Sequence, residues 1–314
     1  MNQQFLIDTL MQSGAPQLPA RADIVALTAL TRDDARAGMN RFLTALHEAD
    51  ICRHDRANLT DCGERSVAYL PDGARAVVFH ASGALQYVSG LAPFQAPYER
   101  LEESLGLVRQ LEQAAQRLDL NAWVGERGSL AFERLWQTKA RGSDREQRLS
   151  NPLLVRATGA WRHAVGGIPV LGAAAVALRL AGDGAVDALS LRIRQSEAEV
   201  LDTVPVIAEE LAARQLAERL ASVLGKSKDR LPGDVVQSAT MRFGYLDLGK
   251  RKAQRVLAPA FVAQVELQHR LERQAYVLAV AATERPYLEL PLFGVEAPAV
   301  RSRGLHPECR DGAS

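Results

Sequence analysis

GAWRHAVGGIPVLGAAAVALRLAGDGAVDALSLRIR, residues 159–194, is the stretch whose reading decides the fold. It reads as a strand, a Gly-Gly turn at 166–167, a second strand, a Gly-Asp-Gly turn at 182–184 and a third strand. Glycine reaches positive φ without a Cβ penalty, which is what tight strand connections need. Val176, Leu178 and Leu180 alternate along the middle of the stretch, so one face of that strand belongs in a core.

Downstream, Asp202-Thr203-Val204-Pro205 leads into a helix expected over Val206 to Leu224. Its apolar stripe is Ile207, Leu211, Leu216, Leu220 and Val223, with Glu209 and Glu210 in the first turn and Gly225 past the end. Upstream, Ala76–His80 and Leu85–Val88 flank Ser82-Gly83 as a hairpin. Leu101, Leu105, Val108, Leu111, Ala115 and Leu118 mark an amphipathic helix over Tyr98 to Leu118, and Arg141–Glu146 reads as a polar loop.

The segment Gly167-Ile168-Pro169-Val170-Leu171-Gly172 resembles the G-V-P-V-x-G core of the propeptide of thermolysin-type metalloproteases. That propeptide joins a fungalysin/thermolysin propeptide motif to a PepSY unit. Gly184-Ala185-Val186 falls at the family's second turn, and Thr203-Val204-Pro205 with Glu209-Glu210 resembles the entry to the PepSY helix. Ala258–Val262 and Tyr276–Thr283 resemble its closing strands, so the similarity spans about residues 100–290. The family's polar run before the core is replaced here by Trp161-Arg162-His163-Ala164-Val165, and no HExxH occurs in the chain. The resemblance therefore implies an inhibitor- or chaperone-like binding scaffold without the protease.

At the N-terminal end, Phe5, Leu6, Thr9 and Leu10 suggest a first helix and Asp23–Leu27 a second. Thr31 is the N-cap of a third, with Ala35, Met39, Phe42, Leu43 and Leu46 at helical spacing. Ile51–His54 and Ser66–Leu70 would supply the two β segments of a wing. This order resembles a winged helix-turn-helix domain over residues 1–72. The resemblance implies that the third helix could meet DNA through Arg32, Arg36 and Arg41. Local charge opposes it: residues 1–75 hold eight arginines, no lysine and ten acids, a net of −2, leaving no surplus to neutralise phosphates. Winged helices also dock proteins, which needs no such surplus.

The expected fold class is thus α+β, with a winged-helix-like domain at 1–72 and a connecting hairpin-and-helix region at 73–158. A propeptide/PepSY-like domain of curled antiparallel sheets on helices follows at 159–294, and a flexible tail at 295–314. The 314 residues are 47% apolar and 24% charged, a globular balance with a net charge of +1 that gives no general pull toward polyanions. Positive charge is concentrated at 225–256, where Lys226, Lys228, Arg230, Arg242, Lys250, Arg251, Lys252 and Arg255 outnumber three acids.

Three cysteines cannot build a disulfide framework, and the start lacks a signal-peptide pattern, so a cytoplasmic protein with no membrane association is expected. His47, Asp50, Cys52, His54 and Cys62 form a metal-like constellation, but at no signature spacing, so no metal is expected. No catalytic motif or cofactor fingerprint is present, and no cofactor is expected. The function read from these features is non-enzymatic protein binding, as an assembly or chaperone-like module. The C-terminal strand edges and the Trp161-Arg162-His163 region, with Lys250, Arg251 and Lys252, would contact another protein or a second copy. A DNA-binding regulator with a ligand-sensing C-terminal domain is the alternative.

Overall fold

The computed structural model describes residues 3–13, 18–53, 58–99, 103–173, 175–226, 235–269 and 272–290. The first half contains α1 (Gln3–Gln12), β1 (Arg21–Leu27), α2 (Arg32–Glu48), β2 (Asn58–Asp61), β3 (Arg65–Tyr69), β4 (Arg75–Phe79), β5 (Leu85–Val88) and α3 (Ser104–Arg117). Next come β6 (Gly128–Ala140), β7 (Leu153–Val165), β8 (Ile168–Leu171), β9 (Val176–Leu180), β10 (Val186–Leu191) and β11 (Ser196–Pro205). The described chain closes with α4 (Glu209–Lys226), β12 (Val235–Leu246), β13 (Val256–Leu257), β14 (Pro259–His269) and β15 (Glu272–Ala281). Helices with antiparallel and occasional parallel strand pairs make this an α+β protein.

The strand β7 is the branch point. Along one edge it pairs with β6 over nearly its whole length, from Gly128 opposite Val165 to Ala140 opposite Leu153. Its other edge is divided: residues 157–161 pair with β9, while 164–165 pair with β8. From β9 the sheet continues through β10, β5, β4, β3 and β2, and from β8 through β12, β14 and β15. A separate small sheet has the order β11-β1-β13.

Each arm of the branched sheet has its own core. Helix α2 contributes Ala35, Met39, Phe42, Leu43 and Leu46 to the first, against Val78, Leu85, Leu178, Leu189 and Trp161. Helices α1 and α4 cover the second, with Leu6, Leu10, Leu216 and Leu220 on Met241, Phe261, Val265 and Leu278. Helix α2 starts where Thr31 predicts, with a reciprocal cap: the Asp34 amide donates to Thr31 Oγ1 at 3.1 Å and the Thr31 amide to Asp34 Oδ2 at 2.8 Å. Gly166 and Gly167 turn β7 into β8 at φ 56° and 81°, and Val176, Leu178 and Leu180 are buried as their alternation predicts.

Several expected elements differ. The helix expected at Asp23–Leu27 is strand β1, held between β11 and β13. A short unbroken apolar run fits a strand buried on both faces as well as a helix turn, and neighbouring strands settle the matter. The helices of the winged-helix resemblance are also divided, α1 in the second core and α2 in the first. Residues 51–53 are not strand, and His54 lies outside the described residues; β2 and β3 form that hairpin instead. Asp202–Pro205 belongs to β11, so α4 begins at Glu209, and α3 begins at Ser104 rather than Tyr98. The tail expected at 295–314 lies outside the described residues.

Candidate functional site

The residues singled out around Trp161 lie on the branch strand β7, where packing uses most of them. Trp161 is buried, and its ring meets Phe132 of β6 edge-to-face with centroids 5.3 Å apart. Arg162 donates to Glu133 Oε1 at 2.7 Å and to the Val170 carbonyl at 3.1 Å, tying β6 to β8. Arg242 also approaches Glu133, at 3.7 Å. The side chain of His163 is buried with Nε2 lacking a hydrogen-bond partner among the described residues. Burial pushes its pKa down to about 4, against a smaller upward pull from Asp247.

The basic residues expected to meet a partner divide in the same way. Lys250 places its ammonium 4.4 Å from the Phe79 ring centroid and donates to Gln86 Oε1 at 3.1 Å, stapling its loop onto β4 and β5. Burial, then the positive charges of Arg192, Arg251 and Arg65, hold the Lys250 pKa below its ordinary value. Arg251 and Lys252 are exposed. Arg194 anchors the loop from below, donating to Asp247 Oδ1 at 2.6 Å and to the carbonyls of Gly249 and Lys252.

On α2, Arg36 pairs with Asp61 at 2.7 Å and Arg41 lies over the Trp123 ring at 4.4 Å, while all three arginines remain exposed. Two of the three arginines proposed to meet DNA thus already have partners. Among the described residues no group of three or more His, Cys, Asp or Glu could hold a metal ion. His47 Nδ1 instead lies 3.3 Å from the Cys52 carbonyl, and burial raises the Cys52 thiol.

One polar chain escaped the sequence reading, because its spacing matches no motif. Ser66 Oγ donates to Asp61 Oδ1 at 2.5 Å and lies 2.8 Å from His80 Nε2, while His80 Nδ1 lies 3.1 Å from the Gly63 carbonyl. The Ser66 hydroxyl, then Arg36, hold the Asp61 carboxyl below the usual range. A nucleophilic serine directs its proton at the imidazole. Here the hydroxyl has both the Asp61 carboxylate and the His80 imidazole within reach, and Ser66 is fully buried. The trio pins the β2–β3 turn to the end of β4.

The more open feature also went unread: strand β6. Thirteen residues long and nowhere buried, it pairs on one edge with β7 and on the other with nothing among the described residues. Its first five residues, Gly128–Phe132, run in regular register, whereas register shifts follow at Phe132/Arg134 and Thr138/Lys139. Such irregularities discourage indiscriminate pairing along an edge, so Gly128–Phe132 is its best-formed template, although the Gly128 amide already donates to the Gly125 carbonyl at 2.7 Å.

Beside this template lies a cleft of about 450 Å3 between β6 and the end of α3. Ala115, Leu120, Leu130, Phe132 and Trp161 form its apolar lining, and Glu112, Gln116, Asp119 and Asn121 its exposed polar rim. Asp119 sits just past the C-terminus of α3 in the left-handed region, at φ 43°, where its amide donates to the Gln116 carbonyl.

No protein-family model matches this chain, and no curated protein matches it either. Among the described residues, no helix is long and apolar enough to cross a membrane.

Proposed function

We propose that this chain is a non-enzymatic protein-binding scaffold that takes an extended segment of a partner as an added strand on β6. The observation that carries the reading is the free edge of Gly128–Phe132 beside an apolar-lined cleft. An added strand satisfies the unpaired backbone groups of an edge, while clefts along it select alternate side chains. The propeptide-like resemblance, with its inhibitor- or chaperone-like implication, supports the same use. Trp161 acts here as part of the cleft wall, and Arg162 by fixing the edge strand through Glu133.

The test uses a capped nine-residue peptide of alternating threonine and valine with one central lysine. Its binding should slow hydrogen exchange at the β6 amides by about tenfold or more. One of its two alternately N-methylated versions, which cannot donate to the edge, should lose binding. Binding without protection of β6 would refute the reading. Concentration-dependent protection without peptide would assign the edge to a second copy of the chain instead.

A further inference from the structure

Resting on that reading, we infer that the cleft between α3 and β6 receives a cationic side chain, lysine or arginine, carried by the docked strand. Three physical features favour positive charge there. The rim carries Glu112 and Asp119; among the described residues, no lysine, arginine or histidine lines the cleft and neither carboxylate has an ion-pair partner. The C-terminal turn of α3 ends at the same place, and its outward carbonyls carry the negative end of the helix dipole. Phe132 and Trp161 supply aromatic surface, which attracts a cation and accepts the methylenes that lead to it.

Reach agrees with charge. Leu130 and Phe132 stand on the cleft side of β6. A strand paired to the free edge places a same-face Cβ roughly 5 Å from theirs. A lysine or arginine stem from that Cβ runs along the Leu130 and Phe132 surface and brings its head group to Glu112 and Asp119. A short apolar side chain would leave both carboxylates unanswered, and an acidic one would be repelled. The partner segment is therefore extended and basic at one position of its alternation.

Four peptides separate this inference from the docking reading: the threonine/valine sequence with central lysine, arginine, norleucine or glutamate. Affinities are read by fluorescence anisotropy and docking by β6 hydrogen exchange. The lysine and arginine peptides should bind about tenfold more tightly than the norleucine peptide, and the glutamate peptide more weakly than all. In the Glu112→Gln/Asp119→Asn variant the preference should fall below about twofold. Raising the salt should narrow it in the native chain. Protection of β6 by the norleucine peptide, with no preference for the cations, would overturn this inference and leave docking standing. Failure of all four to protect β6 would overturn the docking reading and, with it, a strand-borne cation. A cation preference that survives in the double variant would place the charge elsewhere and also overturn the inference.

Discussion

The buried His163 should make the stability of this protein depend on pH in a way that a single substitution removes. Its imidazole is 3% exposed and Nε2 has no partner among the described residues, so the charged form is disfavoured in the folded chain. Folded, it titrates at about 4; unfolded, at about its ordinary 6.5. Between those values the unfolded chain binds a proton that the folded chain refuses. This contribution is therefore unchanged above about pH 6.5, lost progressively as pH falls, and levels off below about 4. At about 1.4 kcal/mol per pH unit, the interval amounts to roughly 3 kcal/mol. The assay is urea unfolding of the native chain and of His163→Leu at pH values from 7.5 to 4. Near neutrality the two should differ little, since replacing an unsatisfied buried nitrogen by an apolar group costs little. Toward pH 4 the variant should gain roughly 3 kcal/mol relative to the native chain, the acid loss from carboxylates being common to both. A difference between the two chains that stays flat within about 1 kcal/mol would refute the burial argument.

Three further variants probe what holds the branched sheet. Asp187 is buried against Arg156 at 2.8 Å and Arg179 at 2.6 Å, and Arg156 is 4% exposed, so Asp187→Ala should cost about 3–5 kcal/mol in chemical unfolding. Arg156→Met/Asp187→Leu should recover most of that loss, and a strictly additive double variant would count against a paired buried charge. Where β8 meets β12, a Cβ on Gly244 would lie 2.3 Å from the Pro169 carbonyl oxygen. Gly244→Ala should therefore destabilise the protein by about 3 kcal/mol, and an unchanged melting temperature would show that the junction yields.

Much of the local structure is legible from residue order. Ser82-Gly83 between alternating strands marks the β4–β5 hairpin, and Thr31 with Asp34 marks the start of α2. The strand that carries the candidate site was not legible. Leu130 and Phe132 alternate correctly, but the shift at Glu133 moves the inward phase to Leu135 and breaks the pattern. The cleft was equally hidden: Glu112 lies within α3 and Asp119 just past its end, Phe132 lies on an edge strand, and Trp161 on the branch strand. Only β7, which carries β6 along its full length, brings them within one wall.

By itself the sequence determined the α+β class, the glycine turns around residues 166 and 184, and the apolar face of α2. Those depend on periodicity and turn chemistry within about a dozen residues. On α4 it placed Leu216, Leu220 and Val223 correctly, whereas Leu211 is exposed and Ala212, Ala213 and Ala217 are buried instead. Tertiary structure decided that Ile24-Val25 is strand, because β11 and β13 pair with its two edges and both side chains are fully buried. It also decided which charges are spent. Arg36, Arg41, Arg162 and Lys250 read alike as exposed cations, yet each is held by a group far away in the chain. Glu112 and Asp119 are left without such a partner among the described residues. Charge is written residue by residue, whereas its availability depends on what the fold brings within a few ångströms.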